Sequence, residues 1–302
     1  MDKSTKRAAA LTRWVFPPES EPSLQESDPT LARIIPELCR IGHQKYTEAF
    51  QIPLHRHEHA YEFVYLQNGS VTWEIDGTLF PMSAGQWFYT RPGELHKARY
   101  DYMEPSQIWW VIINDPENDP NWFRLNEAER EIIISRFHRL PRIFQGDPRT
   151  HERFAHLKTT LNSDSPDHLL FARYQLMDII LRLLQPVTTK KVEPELRETI
   201  IRTVQEMTQS PEMRFSVADM AEAVRVSESY YFKLFNEIFG QSPSTYMDRI
   251  RIERACTLLK TGISVTETAL ELGFKTSQHF TRVFKKIIGS SPSEWRKMVS
   301  DN

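Results

Sequence analysis

The sequence predicts a multidomain α+β chain: an N-terminal β-barrel with a helical hairpin, followed by an all-α C-terminal part. Three observations carry this. From residue 31 to about 115, short apolar runs alternate with turn signals. After Asn114-Asp115-Pro116 the apolar spacing becomes helical. Beyond Ser216 the chain repeats itself, and internal repeats fix architecture before any other signal does.

Bulk properties bound the reading. The 302 residues allow two domains, at roughly 100–200 residues each. Apolar content of 40% and charged content of 26% are those of a globular protein, not of a disordered or fibrous one. With a net charge of -2, any nucleic-acid contact must rest on local basic groups. No apolar run approaches the ~20 residues that span a bilayer. The apolar stretch within Met1 to Glu19 is too short for a secretory signal, so a cytoplasmic protein without membrane contact is expected. Cys39 and Cys256 lack metal spacing and read as reduced core thiols.

Taken in order, residues 1–30 are polar, carry Pro17, Pro18, Pro22 and Pro29, and read as an N-terminal arm. Residues 31–148 form the barrel domain. Glu62 to Leu66 reads as a strand ending at Asn68-Gly69, and Val71 to Ile75 as a second ending at Asp76-Gly77; both dipeptides signal hairpin turns. Gln86 to Tyr89 and Ile108 to Ile113 are further strands, and a short helix lies near 126–137. Residues 149–185 form a helical segment of two helices, 149–161 and 165–185. In the second, Leu170, Tyr174, Met177, Leu181 and Leu184 make one stripe, and Leu169, Leu176, Ile180 and Leu183 an adjacent one. Either the whole surface packs on the barrel, or half of it meets a second protomer in a homodimer. Residues 186–194 (PVTTKKVEP) read as the linker, and 195–302 as the helical domain.

Within 195–302, the stretch from Ser216 to Pro243 recurs from Ser264 to Pro292, at an offset of 48 that becomes 49 after one inserted turn residue. Ser216 with Asp219, and Ser264 with Glu267, are capping boxes. Gly273 fits a left-handed turn position; Arg225 stands there in the first copy, at a backbone cost of about 1 kcal/mol. Each copy thus reads as a helix-turn-helix, with Tyr231, Leu234 and Phe235, or Phe280, Val283 and Phe284, facing inward. Between them, Ser242 caps and Pro243 opens a helix to Lys260. At 1.5 Å per residue this is a rod of about 26 Å, able to hold two reading helices about one duplex turn, roughly 34 Å, apart.

Residues 195–299 resemble the DNA-binding domain of the AraC/XylS family of bacterial regulators. The resemblance rests on Arg249 to Ala255, Leu258-Leu259, Ala269-Leu270-Glu271-Leu272-Gly273-Phe274, His279 to Lys285, and Gly289 to Arg296. It implies that both units enter successive major grooves of double-stranded DNA at promoter half-sites. The base-reading positions are then Ser229, Tyr230, Phe232 and Lys233 in the first unit, and Ser277, Gln278, Thr281 and Arg282 in the second. Arg282 suits guanine and Gln278 adenine, while Phe232 can meet only a thymine methyl. Asn236, Thr276, Lys285 and Lys286 fall where phosphates would lie. The resemblance implies a ligand-responsive transcription activator, RNA polymerase as a partner, and no enzymatic activity.

In the barrel, His55-x-His57, four residues, Glu62, six residues and Gly69 are followed by Gly85, seven residues, Gly93, two residues and His96. This resembles the two cupin motifs, with Pro92 shifted by one and a leading glycine and trailing asparagine absent. Sensor domains of the AraC family also resemble cupins. Three imidazoles and a carboxylate could hold a divalent metal, Fe, Mn, Ni, Cu or Zn. Equally, they could be barrel polar groups that bond one another or an effector, as is common in that family. A metal-dependent cupin enzyme tethered to DNA is the rival function. Trp73, Trp87, Trp109 and Trp110 lie near strands; aromatic faces beside polar groups suit a sugar effector. Strand alternation sends Trp109 and Trp110 to opposite sides. Resemblance to sugar-responsive members points to Trp110, with Trp73, His55, His57, Glu62 and His96, as the effector-binding set.

Overall fold

The computed structural model describes residues 33–185, 194–209 and 216–300. The arm expected over 1–30 and almost all of the expected linker, up to residue 193, lie outside them. The N-terminal part is built from β1 (Leu38–Tyr46), β2 (Phe50–Gln51), β3 (Ala60–Ile75), β4 (Thr78–Ser83), β5 (Gln86–Thr90), β6 (His96–Ala98), β7 (Tyr102–Met103), β8 (Ser106–Asn114) and β9 (Ile143–Gln145). The main ladder runs β1-β8-β3-β5-β9, β4 and β6 also pair with β3, and β2 pairs with β7. Among the described residues these ladders do not close into a continuous barrel. Instead β3, 16 residues long, serves both layers: its first half pairs with β8 and β5, its second with β4 and β6.

This corrects one expected hairpin. Asn68-Gly69 does not turn the chain; it forms an irregularity inside β3, between Leu66 and Asn68 in register. Gly69 adopts φ +92°, and a Cβ there would lie 2.7 Å from the Pro105 carbonyl oxygen. The left-handed residue bends the strand from one layer into the other, as bulges do, rather than reversing it. Asp76-Gly77 does reverse it: φ values of 49° and 75° join paired Ile75 and Thr78 in the tight turn the sequence predicts.

Alternation sorts the side chains into two cores. Tyr61, Phe63, Tyr65, Trp87, Tyr89, Trp109 and Val111 pack outward under α1 (Glu127–Arg139), α2 (Thr150–Leu161) and α3 (His168–Leu183). Val64, Leu66, Val71, Trp73, Phe88 and Ile108 fill the interior, with Trp110 packed against them. On α3, Ala172, Leu176, Ile179, Ile180 and Leu183 are buried toward the sheet. Of the first expected stripe, Leu170, Tyr174 and Leu181 are 52%, 69% and 41% exposed, as is neighbouring Phe171 at 55%, whereas Met177 is half-buried and Leu184 is buried.

The C-terminal part consists of α4 (Pro194–Thr208), α5 (Val217–Ala223), α6 (Glu228–Phe239), α7 (Pro243–Lys260), α8 (Val265–Glu271), α9 (Ser277–Ile288) and α10 (Pro292–Ser300). Both expected capping boxes are present, at Ser216/Asp219 and Ser264/Glu267. Arg225 takes φ 58° where the second copy has Gly273 at 72°. Two cores result: Ile200, Val204, Met220, Tyr231, Leu234, Phe235 and Met247 form one. Ile252, Cys256, Leu259, Ala269, Phe280, Phe284 and Trp295 form the other. Because α7 contributes Met247 to the first and Ile252, Cys256 and Leu259 to the second, one rigid helix ties the two units together.

Candidate nucleic-acid interface and barrel site

In each unit the second helix is capped by a hydroxyl and stopped by a left-handed glycine. The Ser227 hydroxyl accepts from the Tyr230 N–H at 3.3 Å, and Gly240 ends α6 at φ 69°. The Thr276 hydroxyl accepts from the His279 N–H at 3.1 Å, and Gly289 ends α9 at φ 88°. Thr276, assigned from sequence to phosphate contact, therefore also caps the helix whose free N–H groups would meet a phosphate.

Burial splits these helices by face. Tyr231, Leu234 and Phe235 are inside, whereas Ser229, Tyr230, Phe232 and Lys233 are exposed. Tyr230 and Phe232 leave 47% and 43% of their surface to solvent. On α9, Phe280, Val283 and Phe284 are buried while Gln278 and Arg282 are exposed, with Ser277 and Thr281 half-buried. Asn236, Lys285 and Lys286 are exposed near the helix ends. The first copy thus presents a polar and aromatic stripe and the second a polar one, each opposite an apolar core.

In the N-terminal part, His55, His57, Glu62 and His96 converge, with one ligand atom from each lying within 4.8 Å of the others. His55 lies outside the regular strands and makes a single two-bond bridge with His96, at 3.0 and 2.9 Å. The bridge nevertheless fixes both rings. His55 Nδ1 faces the Pro53 carbonyl at 2.8 Å and His96 Nδ1 faces that of Glu94 at 3.0 Å. Protonated Nδ1 atoms there would leave both Nε2 atoms as acceptors or ligands. His96 Nε2 lies 3.0 Å from Glu62 Oε2, and His57 Nε2 lies 3.5 Å from the same oxygen. Burial would raise the Glu62 carboxyl, but its contacts with His57 and His96 hold it well below the ordinary range. Burial opposes charge on His96, yet the Glu62 contact carries its pKa above the usual value. Burial, then the neighbouring His96, lowers that of His55.

Among the described residues Trp73 Nε1 is a buried polar atom without a hydrogen-bond partner, and buried His57 Nε2 has only its long contact with Glu62. Buried orphans of this kind ask for a ligand or ion. The donor set, three imidazoles and a carboxylate, fits a divalent metal. Trp73 stacks on Phe88 at 5.1 Å and tilts against His96 at 6.0 Å. Trp110 lies on the interior side, while under the helices Trp109 stacks on Phe154 and Trp87 tilts against it.

Three residues around this site escaped the sequence reading. Gly42 lies under the Trp110 ring, where a Cβ would stand 2.3 Å from the indole. Gln44 accepts the Trp110 indole N–H. Tyr46 stacks on Phe50 at 4.7 Å, and burial, with the Glu62 charge, pushes its phenol up to about 12. All three sit on β1, whose polar LCRIGHQKY stretch gives little strand signal; its pairing with β8 creates it.

A strand-rich part with a cluster of polar groups is joined to two helix-turn-helix units tied by one helix, a two-domain arrangement whose C-terminal part has a DNA-binding fold. The family described as "Helix-turn-helix domain" matches residues 220–298, and that described as "Cupin domain" matches 43–112. The chain is 26% identical over 235 residues to the arabinose operon regulatory protein of Escherichia coli K12, covering 73% of this chain and 74% of that one. It is 23% identical over 237 residues to the lactose operon transcription activator of Staphylococcus xylosus, covering 78% and 82%. An uncharacterized HTH-type transcriptional regulator of Haemophilus influenzae is 34% identical over 93 residues, but the match spans only 31% of that protein and 30% of this chain. Among solved structures, an AraC-type transcriptional regulator from Chromobacterium violaceum is 29% identical over 34% of this chain and 92% of its own, at TM-score 0.32. ToxT from Vibrio cholerae covers 86% of this chain and 97% of its own at 13% identity and TM-score 0.33. The chain therefore carries an AraC-type helix-turn-helix domain and a cupin domain, and AraC/XylS-family regulators are its homologues. Among the described residues no helix is long and apolar enough to cross a membrane.

Proposed function

We propose that the chain is a ligand-responsive, sequence-specific transcription regulator, acting mainly as an activator. Its C-terminal units read promoter half-sites, with Gln278 and Arg282 the principal base readers and Lys285 and Lys286 on phosphates. The observation that carries this is the twice-repeated split between a buried apolar face and an exposed reading face, on helices tied by α7. The effector is a sugar or similar polyhydroxylated molecule held at the barrel site, between Trp110, Trp73 and the His55, His57, Glu62 and His96 cluster. The names of the arabinose and lactose operon regulators support that class.

A divalent metal held by His55, His57, His96 and Glu62 would supply a Lewis acid able to bind effector hydroxyls or carboxylates. The protein residues would orient it through the two Nδ1 contacts described above. Calorimetric titration with Zn²⁺ and Mn²⁺ checks this: binding lost in His96→Ala is expected, and binding unchanged by that substitution would contradict it.

The function is tested with the full chain on duplexes from upstream of its own gene and its neighbours, with and without a panel of sugars. A retarded complex whose affinity changes with one sugar is expected. A protein that prefers none of these duplexes over random sequence would overturn the reading. A ligand acts only by binding one arrangement more tightly than the other, so the same sugar should also raise the melting temperature.

A further inference from the structure

The two capped helices share a buried face and differ in the exposed one. From cap to terminal glycine, α6 and α9 align at an offset of 49: Ser227 with Thr276, Tyr231 with Phe280, Gly240 with Gly289. At that offset Ser229 matches Gln278, Phe232 matches Thr281, Lys233 matches Arg282 and Asn236 matches Lys285. The second helix thus offers an amide, a hydroxyl, a guanidinium and an ammonium. In the first, a phenyl ring stands where the second has the Thr281 hydroxyl.

Charge separates the helices further. Within α9 lie Arg282, Lys285 and Lys286 and no acid, whereas α6 carries Lys233 between Glu228 and Glu237. A cationic helix gains affinity by displacing counterions from phosphates; one cation among two acids gains little that way. The contribution of α6 must therefore come from what its exposed side chains meet in the groove. Among the described residues of α9 no large apolar side chain is exposed, while Tyr230 and Phe232 of α6 are. At about 100° per residue these two rings fall on opposite edges of the exposed face, with Ser229 and Lys233 between them.

Tyr230 has a hydroxyl for a phosphate or a water. Phe232 has no such group and can exchange no hydrogen bond with a base edge. The apolar group that a base pair presents in the major groove is the methyl at pyrimidine C5. Thymine always carries it; cytosine carries it when methylated, at the same place on the ring. A phenyl ring packed on that methyl accepts either base, because the groups that tell them apart, thymine O4 and cytosine N4, are hydrogen-bonding ones. We propose that Phe232 makes the first unit a reader of C5-methylated pyrimidines, thymine and 5-methylcytosine alike, while α9 supplies the electrostatic hold. This deepens the DNA-binding reading and rests on it. Methylation of one cytosine in the first half-site then strengthens binding.

The test uses the full chain and the duplex it selects from an unmodified random library. In the half-site whose base preferences Arg282→Ala leaves unchanged, each thymine is replaced singly by deoxyuridine, which removes the methyl and keeps every hydrogen-bonding group. One replacement is expected to weaken binding about 4-fold, the effect of one buried methyl. The loss should be equal at about 50 and 200 mM salt, since no counterion is involved. At that position 5-methylcytosine should bind tighter than cytosine by a similar factor. Both differences should vanish in Phe232→Ser, once circular dichroism has established that it is folded. A half-site without thymine, no thymine–uracil difference at any position, a difference that Phe232→Ser retains or that salt abolishes, or equal affinity for cytosine and 5-methylcytosine overturns the proposal and leaves the DNA-binding reading standing. A chain that prefers no duplex sinks both. Should Phe232→Ser fail to fold, Phe232→Asn is judged by the same criterion.

Discussion

At the scale of single residues, the proposed function divides the exposed stripe of α9 by chemistry. Arg282 offers a planar fork that fits guanine O6 and N7, so Arg282→Ala should cost about 1–3 kcal/mol on the preferred base and relax selectivity at that one position. Lys285 is a point charge for a phosphate, so Lys285→Ala should weaken all sequences alike and reduce the salt slope by about 0.9. Equal losses on every base for Arg282→Ala, in a selection experiment, would refute its reading role. Another residue-scale test concerns the Arg142–Glu94 pair, where both carboxylate oxygens accept from the guanidinium at 2.7 and 2.9 Å. Burial alone would raise the Glu94 carboxyl, but Arg142 and the Arg91 N–H lower it from its ordinary 4.5. A carboxyl depressed in the folded state stabilises above the unfolded value and loses that contribution as pH falls through the folded one. Thermal melts should therefore fall below about pH 4.5 in the wild type and fall less in Glu94→Gln, which starts roughly 1–3 kcal/mol less stable at pH 7. An unchanged acid limb would show that the pair is not the source.

At the scale of elements, what could be read from sequence was what neighbouring residues determine. Capping boxes, a proline at the start of α7 and a left-handed residue at Arg225 or Gly273 act within one turn, so their positions were legible. Asn68-Gly69 misled because the same left-handed conformation serves a turn or a strand irregularity, and only the distant partners, β8 on one side and β4 on the other, decide which. For the barrel site, the spacing of His55, His57, Glu62 and His96 was visible, whereas the wall on β1 was not, since Gly42 and Gln44 acquire meaning only when β8 brings Trp110 over them. Gly42→Ala should push the indole aside, shift tryptophan fluorescence and weaken effector response, while DNA affinity without effector stays unchanged. An unshifted spectrum would contradict the close approach. On α3, exposed Leu170, Phe171, Tyr174 and Leu181 support the homodimer reading. Sedimentation should show a dimer for the wild type and a monomer for Leu170→Lys combined with Tyr174→Lys; an unchanged mass for the double variant would rule this surface out.

At the scale of the whole molecule, the β3 bend links the proposed effector site on β1, β3, β6 and β8 to the end of one of the proposed reading helices. The irregularity at Gly69 that lets β3 cross between layers also aims its N–H at Gly240. A rearrangement in the strands around Glu62 thus has a covalent path, along one strand, to the end of α6. None of this was legible in the sequence, because Glu104 and Arg249, which pair across the two parts, are 145 residues apart and neither lies in a motif that names the other. The proposed function requires that α7, shared by both cores, set the two reading helices on one side about one duplex turn apart. It is tested most directly by selecting bound duplexes from a random library with the full chain and footprinting them. Two half-sites whose centres lie about 10–10.5 base pairs apart on one face are expected, with binding lost when five base pairs are inserted between them. A single half-site, or two that tolerate that insertion, would contradict the account.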